Sequence, residues 1–397
     1  MHLPEYVKII LDTLIKNGFP AYVVGGCVRD SLMNRSPKDY DIATAAQPEE
    51  LCRIFPRTVL TGEKYGTVTV LGEKPVEVTT FRIDGVYHDG RRPEEVRFTA
   101  RMEEDLSRRD LTINAIAYNE KKGYVDPFGG REDIASGVLR AVGEPRRRFQ
   151  EDALRILRVF RFSAELGFSI EPRTLAACFQ EMESLSKVST ERILIEIYKS
   201  LDGAHADNLL PLLQNGGLSH LGFQRPQVDF SLEALPKRRC CRLAALLYGC
   251  GGGAGWAILP RLRADNQTKR LTGAILDQLE RPLPLTPVGV KERFRTIPPE
   301  VFPDFLCTYG ALHHISVEKS LAMASGIIEK GEPWNLAMLD ISGRELIEMG
   351  LPEGKSVGEM LTVLLGCVME HPGMNQRKTL QKMVREHKNK FFGDPVL

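Results

Sequence analysis

The spacing of apolar and polar residues changes near residue 145, and the change divides the chain into two kinds of structure. Before it, short apolar runs alternate with glycine, proline and charged turns, which predicts β-strands at residues 21–24, 67–71, 76–81 and 115–118. After it, apolar residues recur at helical intervals, as in residues 152–166, 172–183 and 191–201. The pattern therefore predicts an α/β head followed by an all-α neck, body and tail.

Four domains are expected from this change of pattern. They are a head at residues 1–145, a helical neck at 146–203, a helical body at 204–300 and a helical tail at 301–397. An amphipathic helix is predicted at the start of the head, with apolar positions at Val7, Ile10, Leu11, Leu14 and Ile15. The uncharged run at residues 243–259 is short for a membrane span and rich in glycine, so it predicts a buried helix that ends in a glycine turn.

The balance of charge argues against a strongly basic or acidic protein. The 397 residues include 53 Lys and Arg against 52 Asp and Glu, so binding to nucleic acid would depend on a local positive surface. The eight cysteines contain no Cys-x-x-Cys pair, which predicts reduced and mostly buried thiols in a cytoplasmic protein. Glu5 and Asp12 in the first predicted helix argue against a signal peptide, and no membrane association is expected.

A glycine turn followed by two carboxylates is the most informative motif. Residues 23–30 (VVGGCVRD) predict a strand, a turn at Gly25-Gly26 and a helix, an arrangement that lets backbone N–H groups approach a phosphate. Asp39 and Asp41 are two residues apart, so on a strand they share a face, and such a pair favours a divalent cation. Either half alone is common in ordinary turns and solvated strands. Their close spacing in this order indicates nucleotidyl or phosphoryl transfer.

In this arrangement the sequence resembles the polymerase-β-like nucleotidyltransferases, and specifically the class II branch of bacterial CCA-adding enzymes and poly(A) polymerases. Residues 107–115 (SRRDLTINA) carry the second motif of that family throughout. The resemblance implies that Asp39 and Asp41 are catalytic and hold Mg²⁺ in a two-metal arrangement. Glu77 is the candidate for a third carboxylate by strand alternation, and an exposed strand glutamate is the alternative.

The resemblance also implies roles for residues around these carboxylates. Gly26, Arg29 and Arg109 are expected to contact the nucleotide, while Asp110 and Asn114 shape the sugar pocket. Residues 82–99 correspond to a flexible loop tied to the switch from C to A addition, with a plain surface loop as the alternative. Residues 191–196 (ERILIE) match a further family motif that is expected to brace the base-recognition helix.

The third motif, residues 151–162 (EDALRILRVFRF), indicates which bases are accepted. Asp152, Arg155, Arg158 and Arg161 recur at three-residue intervals, which places them roughly along one helix face. A fixed carboxylate accepts a hydrogen bond from the amino group of cytosine or adenine, while a guanidinium donates to the adjacent ring acceptor. Uracil and guanine present a carbonyl there, which leaves polar groups unpaired. The resemblance gives base recognition to Asp152 and Arg155, and nucleotide and phosphate binding to Arg158 and Arg161; an ion pair on a solvated face is the alternative.

These motifs predict template-independent addition of C, C and A to the 3′ end of tRNA from CTP and ATP. The expected partner is the acceptor arm of tRNA, gripped by shape because the net charge is near zero, and a homodimer is left open. The histidines lack the spacing of an HD phosphohydrolase domain. Three alternatives remain: an enzyme that adds only CC or only A, a poly(A) polymerase, which would carry a longer basic C-terminal extension, and an inactive RNA-binding relative.

Overall fold

The structure, a computed structural model, describes residues 1–62, 65–85, 96–224, 226 and 229–391 of the chain. The chain divides into two units. The first comprises Met1–Gln227 with Pro260–Ala264, and the second comprises Val228–Leu259 with Asp265–Leu397. The predicted α/β head and helical remainder are confirmed, while the division into four domains stays a prediction beside this twofold one.

A seven-stranded mixed sheet forms the centre of the head, in the order β3-β4-β5-β2-β1-β8-β9. Its strands are β1 (Ala21–Val24), β2 (Asp41–Thr44), β3 (Thr58–Gly62), β4 (Thr67–Leu71), β5 (Pro75–Thr80), β8 (Ala117–Asn119) and β9 (Gly123–Val125). Two smaller pairs are β6 (Arg82–Asp84) with β7 (Val96–Phe98), and β10 (Val138–Leu139) with β11 (Ser169–Ile170). In the large sheet β2 and β5 run parallel and every other neighbouring pair is antiparallel. The parallel pair decides which carboxylates meet at the site.

Ten helices of the first unit surround the sheet and extend from it. They are α1 (Glu5–Lys16), α2 (Gly26–Leu32), α3 (Pro48–Ile54), α4 (Met102–Ser107), α5 (Gly130–Ser136), α6 (Pro145–Glu151), α7 (Leu154–Leu166), α8 (Pro172–Glu181), α9 (Thr190–Asp202) and α10 (Leu210–Gln214), counted within the described residues. The amphipathic pattern of α1 is confirmed, because Val7, Ile10, Leu11 and Leu14 are buried in the core that also contains Val23. The predicted strand at 115–118 starts later, at Ala117, because residues 112–114 form a short 3₁₀ turn.

Every regular element among the described residues of the second unit is a helix. Its helices are α11 (Arg239–Gly249), α12 (Gly252–Arg261, of which the last two residues belong to the first unit), α13 (Asn266–Leu279), α14 (Pro287–Phe294), α15 (Phe302–His313), α16 (Glu318–Glu329), α17 (Gly343–Glu348), α18 (Lys355–Glu370) and α19 (Arg377–Phe391). The single helix expected over residues 243–259 is instead two, because the chain turns at Gly251 with φ +87° and then resumes as α12. None of the described helices combines the length and the apolar character that crossing a bilayer requires.

No cysteine is joined in a disulfide, and all eight belong to the described residues. Cys27, Cys178, Cys240 and Cys241 are buried, whereas Cys52 and Cys307 are exposed. The prediction of reduced thiols agrees with this, although only half of them are fully buried. Burial raises the pKa of the Cys27 thiol to about 11, so this cysteine beside the glycine turn stays protonated and unreactive at neutral pH.

A buried lysine stabilises the second unit. Lys291 on α14 is fully buried, and its Nζ donates to the carbonyl of Met369 at 2.8 Å and pairs with Glu332 Oε2 at 2.8 Å. The ammonium therefore connects α14 to the end of α18 and to the turn after α16. Such a charge is tolerated in the interior only because both acceptors are in place.

We expect Lys291→Ala to lower the free energy of unfolding by about 3–5 kcal/mol, because it leaves two acceptors without their cation and a cavity where the side chain packed. Lys330→Ala is the matched control: Lys330 is exposed, so its removal should change the free energy by less than about 0.5 kcal/mol. Denaturant titration of both variants measures the difference, and equal values would contradict the structural role of Lys291.

Candidate active site

A tight glycine turn connects the central strand β1 to helix α2. Gly25 has φ +76°, a conformation that favours glycine, and its N–H donates to the carbonyl of Ile116 at 3.2 Å. A Cβ atom at Gly25 would come within 3.0 Å of Arg109 Nη1, so the absent side chain also leaves room for that guanidinium. At Gly26, an added Cβ would lie 3.7 Å from Arg29 Nη2. The turn therefore brings two of the predicted nucleotide-binding arginines close to its backbone.

Asp39 and Asp41 lie on the same side of the segment that enters β2. Both are exposed, and both line a cleft of about 670 Å³ together with the residues of the glycine turn and α2. The expectation that both belong to the strand is wrong for Asp39, since β2 begins at Asp41. The reason is the short neighbouring strand: β1 ends at Val24 opposite Asp41, and Gly25 then turns away and leaves Asp39 without a ladder partner.

Parallel pairing of β2 and β5 places Glu77 directly opposite Asp41. Desolvation in the cleft raises the pKa of the Asp41 carboxyl, and the charges of Glu77 and Asp39 raise it further, while Arg109 opposes them. Negative charge thus exceeds positive charge at this end of the sheet, which suits a bound cation. Among the described residues no three His, Cys, Asp or Glu side chains are close enough to enclose a metal, so Glu77 does not complete a ligand cluster.

The pair Asp39 and Asp41 fits a hard divalent cation. Carboxylate oxygens are the ligands that such ions prefer, and two protein carboxylates leave the other coordination positions to water and to substrate phosphates. Gly26 of the adjoining turn and Arg29 line the same cleft, so an N–H group and a guanidinium are available there for anionic oxygens. The cleft can therefore hold a metal-bound triphosphate.

A chain of hydrogen bonds runs from this cleft to helix α7. Arg29 Nη1 donates to Asn114 Oδ1 at 2.7 Å, and Asn114 Nδ2 donates to Asp110 Oδ1 at 3.2 Å. Arg158 Nε donates to the other oxygen of Asp110 at 2.7 Å. The second motif thus links two predicted nucleotide-binding arginines, Arg29 on α2 and Arg158 on α7.

Asp110 is the charged centre of this chain. Its burial raises the pKa of the carboxyl, but the charge and hydrogen bond of Arg158, with the hydrogen bonds from Asn114 and the Leu111 N–H, outweigh burial and leave the pKa well below its ordinary value. The carboxylate is therefore ionised at every physiological pH. It accepts hydrogen bonds on both oxygens, which fixes the rotamers of its partners.

Asp105 is a site residue that the sequence motifs did not identify. It is fully buried at the end of α4 and accepts hydrogen bonds from Arg108 at 2.7 Å, from Arg109 at 3.3 Å and from the Arg82 N–H at 3.3 Å. It therefore holds Arg109 beside the glycine turn. The sequence could have identified this residue, because Asp105 precedes Arg108 and Arg109 by three and four residues, which is the spacing of an ion pair within a helix.

Asp152 lies between two helices and not within one. Its φ of −142° ends α6, and α7 begins at Leu154, so the predicted continuous helical face starts two residues late. The physical reason is a capping interaction: Asp152 Oδ1 accepts a hydrogen bond from the Leu154 N–H at 3.1 Å. Its Oδ2 accepts one from Arg192 at 2.8 Å. Two contacts therefore fix this carboxylate.

Arg155 is held by protein acceptors on three sides. Its guanidinium donates to Glu151 Oε2 at 2.8 Å, to the carbonyl of Arg148 at 3.2 Å and to the carbonyl of Arg108 at 2.8 Å. Asp152 and Arg155 thus pair with different groups of the protein, although they are only three residues apart. The contact to Arg108 also connects α7 to the second motif.

The segment at residues 191–196 contacts the start and the middle of α7, as a brace would. Arg192 binds Asp152, and Glu196 pairs with Arg161 Nε at 2.8 Å. Arg161 also pairs with Glu165 at 2.9 Å and lies over the ring of Phe162, with Cζ 3.6 Å from the ring centroid. Arg192 and Glu196 of α9 thus each pair with a residue outside their own helix.

The predicted flexible loop lies mostly outside the described residues. Its two ends, β6 and β7, pair antiparallel from Arg82 to Phe98, and residues 86–95 between them are not described. The hydrogen bond from the Arg82 N–H to Asp105 attaches the first of these strands to α4.

Two families match parts of this chain. Residues 21–140 match the family described as the poly A polymerase head domain. Residues 167–230 match the one described as a probable RNA and SrmB-binding site of polymerase A. The first match covers the strands and motifs of the candidate site up to the second motif.

Relatives over nearly the whole chain bear one name. The CCA-adding enzyme of Geobacillus stearothermophilus is 36% identical over 400 residues, which cover 95% of each chain. That of Bacillus velezensis is 38% identical over 392 residues, with 95% of this chain and 97% of the relative covered. Among solved structures, the Bacillus stearothermophilus CCA-adding enzyme in complex with CTP matches with a TM-score of 0.82 at 32% identity, covering 98% and 99% of the two chains. The Thermotoga maritima enzyme complexed with tRNA has a TM-score of 0.69 at 21% identity over 97% and 96%, which supports the fold alone.

We expect Asp110→Asn to lower the free energy of unfolding at pH 7 by roughly 2 kcal/mol, because Arg158 loses its charged partner. The folded-state pKa is depressed, so this contribution is present above the unfolded-state pKa of about 3.9 and is lost as the pH falls through the lower folded-state value. The difference between wild type and variant should therefore shrink below about pH 4.

Denaturant titration between pH 3 and 8 measures that difference. Asp12→Asn is the matched control, since Asp12 is exposed on α1 and its change should be small at every pH. A difference for Asp110→Asn that grows as the pH falls would contradict a depressed pKa of this carboxyl in the folded protein.

Proposed function

The chain belongs to the family of CCA-adding enzymes, and on that premise we propose that it adds C, C and A to the 3′ end of tRNA from CTP and ATP without a nucleic-acid template. The observation that carries the proposal is the continuity of the site. A carboxylate-bearing cleft at Asp39 and Asp41 connects through Arg29, Asn114 and Asp110 to the helix that carries the base-recognition motif.

The chemical step is nucleotidyl transfer. The family depends on a divalent metal ion. We propose Mg²⁺ held by Asp39 and Asp41, because carboxylate oxygens are the ligands that this ion prefers and one or two of them leave positions for water and substrate phosphates. The bound metal would supply Lewis-acid stabilisation of the charge on the reacting phosphate. Gly26, Arg29 and Arg109 would bind the triphosphate, with Asp105 fixing the last of these.

Base selection would be made by Asp152 and Arg155. The Asp152 carboxylate is fixed by Arg192 and by the start of α7, so it presents its remaining acceptor capacity in one orientation. A cytosine or adenine amino group can donate to it, whereas a carbonyl at that place would repel it. Arg158 and Arg161 are each held by a carboxylate, and we assign them to nucleotide binding alongside this pair.

The division of labour follows the proposed domains. The head at residues 1–145 would hold the metal and the triphosphate, and the neck at 146–203 would recognise the base. The body at 204–300 and the tail at 301–397 would contact the acceptor arm of tRNA. We also propose a cytoplasmic location, where tRNA, CTP and ATP are all available.

A primer-extension assay tests the function. Labelled tRNA that lacks its 3′ CCA is incubated with Mg²⁺ and CTP, ATP or both, beside an oligo(A) primer, and the products are resolved at single-nucleotide length. We expect growth by two nucleotides with CTP, by three with both, and none on oligo(A). Asp41→Ala should reduce the rate at least about a thousandfold with tRNA binding retained, whereas Asp12→Ala should extend normally.

Other outcomes of the same assay select the alternatives. A stop after two nucleotides with both substrates present would identify a CC-adding enzyme, and addition only to a CC-ended tRNA would identify an A-adding one. A long ladder on oligo(A) would identify a poly(A) polymerase. Absence of any metal-dependent extension would identify an inactive relative.

Asp152→Ala is expected to relax base choice as well as to slow addition. Without the carboxylate, the discrimination of CTP over UTP should fall by roughly 10- to 100-fold, the cost of one polar group left unpaired. Glu183→Ala, an exposed acid in the same neck, is the control and should leave the ratio unchanged. Single-turnover rates with each nucleotide measure the ratio, and an unaltered CTP:UTP preference in Asp152→Ala would remove this residue from base recognition.

A further inference from the structure

A second concave surface adjoins the cleft that contains Asp39 and Asp41. It has a volume of about 880 Å³ and lies entirely within the first unit. We call it the tyrosine groove and define it by Tyr6, Tyr40, Tyr124, Arg35, Lys38 and Lys74. None of its described lining residues is a carboxylate. Arg35 and Lys38 also line the cleft, so the two cavities share part of their wall.

The alternation of side chains along residues 39–41 separates the two cavities. Asp39 and Asp41 line the cleft, whereas Tyr40 between them lines the tyrosine groove. Arg35 and Lys38 stand at the boundary, and both are exposed. A phosphate group that moves from the two carboxylates towards the tyrosine groove would therefore meet Arg35 and Lys38 first.

The cations of the groove differ in their partners from three of the predicted nucleotide-binding arginines. Arg29, Arg109 and Arg158 are each paired with an aspartate. Within the described part of the chain no carboxylate pairs with Arg35, Lys38 or Lys74, although the chain as a whole carries almost equal numbers of acids and bases. Unpaired cations on a concave, acid-free surface create a local positive potential that favours a small polyanion.

The order of groups along the site places this groove beyond the phosphate end of a bound nucleotide. Arg155 lies near the start of α7, and Glu165 near its end lines the cleft; ten residues of helix separate them by about 15 Å. A nucleotide whose base lies at Arg155 would direct its triphosphate past Arg29 and the carboxylates towards Arg35 and Lys38. The last phosphates would point at the groove.

The tyrosines favour a phosphate ligand over stacked bases. Tyr6 and Tyr40 pack edge to face, with ring centroids 6.3 Å apart, and Lys74 Nζ lies 5.8 Å from the centroid of Tyr6. Tyr124 packs against Tyr118 at 4.8 Å and carries the Arg131 guanidinium 4.7 Å from its centroid. Protein groups therefore occupy ring surfaces on which nucleic-acid bases would stack, while phenolic hydroxyls can donate to phosphate oxygens.

We propose that the tyrosine groove binds the pyrophosphate released by each addition; this inference rests on the proposed function. In the step, the 3′ oxygen of the RNA bonds to the α-phosphorus of CTP or ATP. The bond from that phosphorus to the oxygen bridging to the β-phosphorus breaks, pyrophosphate leaves with the electron pair, and the hydroxyl proton passes to solvent. Arg35 and Lys38 contact the leaving group at the boundary, and Lys74 binds it within the groove.

Calorimetric titration tests the proposal without turnover. Magnesium pyrophosphate is titrated into the full-length protein saturated with CTP and free of tRNA, so the triphosphate position is already filled. We expect wild type to bind one pyrophosphate, and Lys74→Glu to bind it about tenfold more weakly through loss of one charge-assisted contact. Lys16→Glu carries the same charge change at an exposed position of α1 and should bind like wild type. Thermal melting checks that both variants fold.

Three results would overturn the proposal. The first is no binding of pyrophosphate to CTP-saturated wild type, and the second is equal affinity of Lys74→Glu and wild type. The third is an effect on RNA alone: Lys74→Glu weakens the binding of a short oligoribonucleotide but does not change the binding of pyrophosphate. That result would assign the groove to RNA. Failure of the wild type to extend tRNA would instead contradict the proposed function and leave this titration interpretable.

Discussion

The ion pair between the buried Asp110 and Arg158 connects the proposed phosphate side of the candidate site to its proposed base-recognition side. Asp110 belongs to the segment that follows α4, and Arg158 belongs to α7, so the pair joins the head to the first long helix after it. A buried carboxylate is tolerated only when its charge and its lone pairs are matched. Here both oxygens are used, and the partner Asn114 in turn binds Arg29 at the glycine turn. Removing the carboxylate would therefore disturb groups at both ends of the site.

Fixed side chains are the common property of the site. Asp152 is held by Arg192, Arg155 by Glu151 and two carbonyls, and Arg109 by Asp105. Each such contact costs the side chain its rotational freedom before any nucleotide binds. Recognition of a base edge without a template strand requires side chains that are already fixed before the nucleotide binds. A mobile carboxylate would instead turn away from a base that presents a carbonyl.

The near-neutral composition conceals a marked local separation of charge. Carboxylates concentrate where β2 and β5 begin beside the cleft, and the neighbouring tyrosine groove has cations without described carboxylates. The short loop with Asp39, Tyr40 and Asp41 separates the two regions. A net charge of +1 therefore gives no information about the potential at the site, which depends on how strands and loops distribute the charges.

The local spacing of hydrophobic residues was sufficient to predict much of the fold. The strands at residues 21–24 and 67–71 and the helical character after residue 145 follow from hydrophobic spacing, which reflects burial on one side of a sheet or helix. Weakly patterned elements were missed. Strand β3 is mostly exposed at the edge of the sheet, so it lacks the apolar alternation that identifies an inner strand. The glycine-rich run after α11 continues as a second helix that buries Ile258 and Leu259, a result that the low helix propensity of glycine does not predict.

The amino-acid sequence by itself determined which chemistry is available: the glycine turn, the Asp-x-Asp pair, the second motif and the Asp and Arg row are all contiguous in the chain. Only the tertiary structure decided how those groups are paired. Asp41 meets Glu77 through a parallel register, Asp105 reaches Arg82 across the head, and Asp152 turns out of the helix to bind Arg192. The reason is physical, since helix and strand periods fix the neighbours of a residue within one element, whereas contacts between elements depend on sheet order and helix packing, which those periods do not contain.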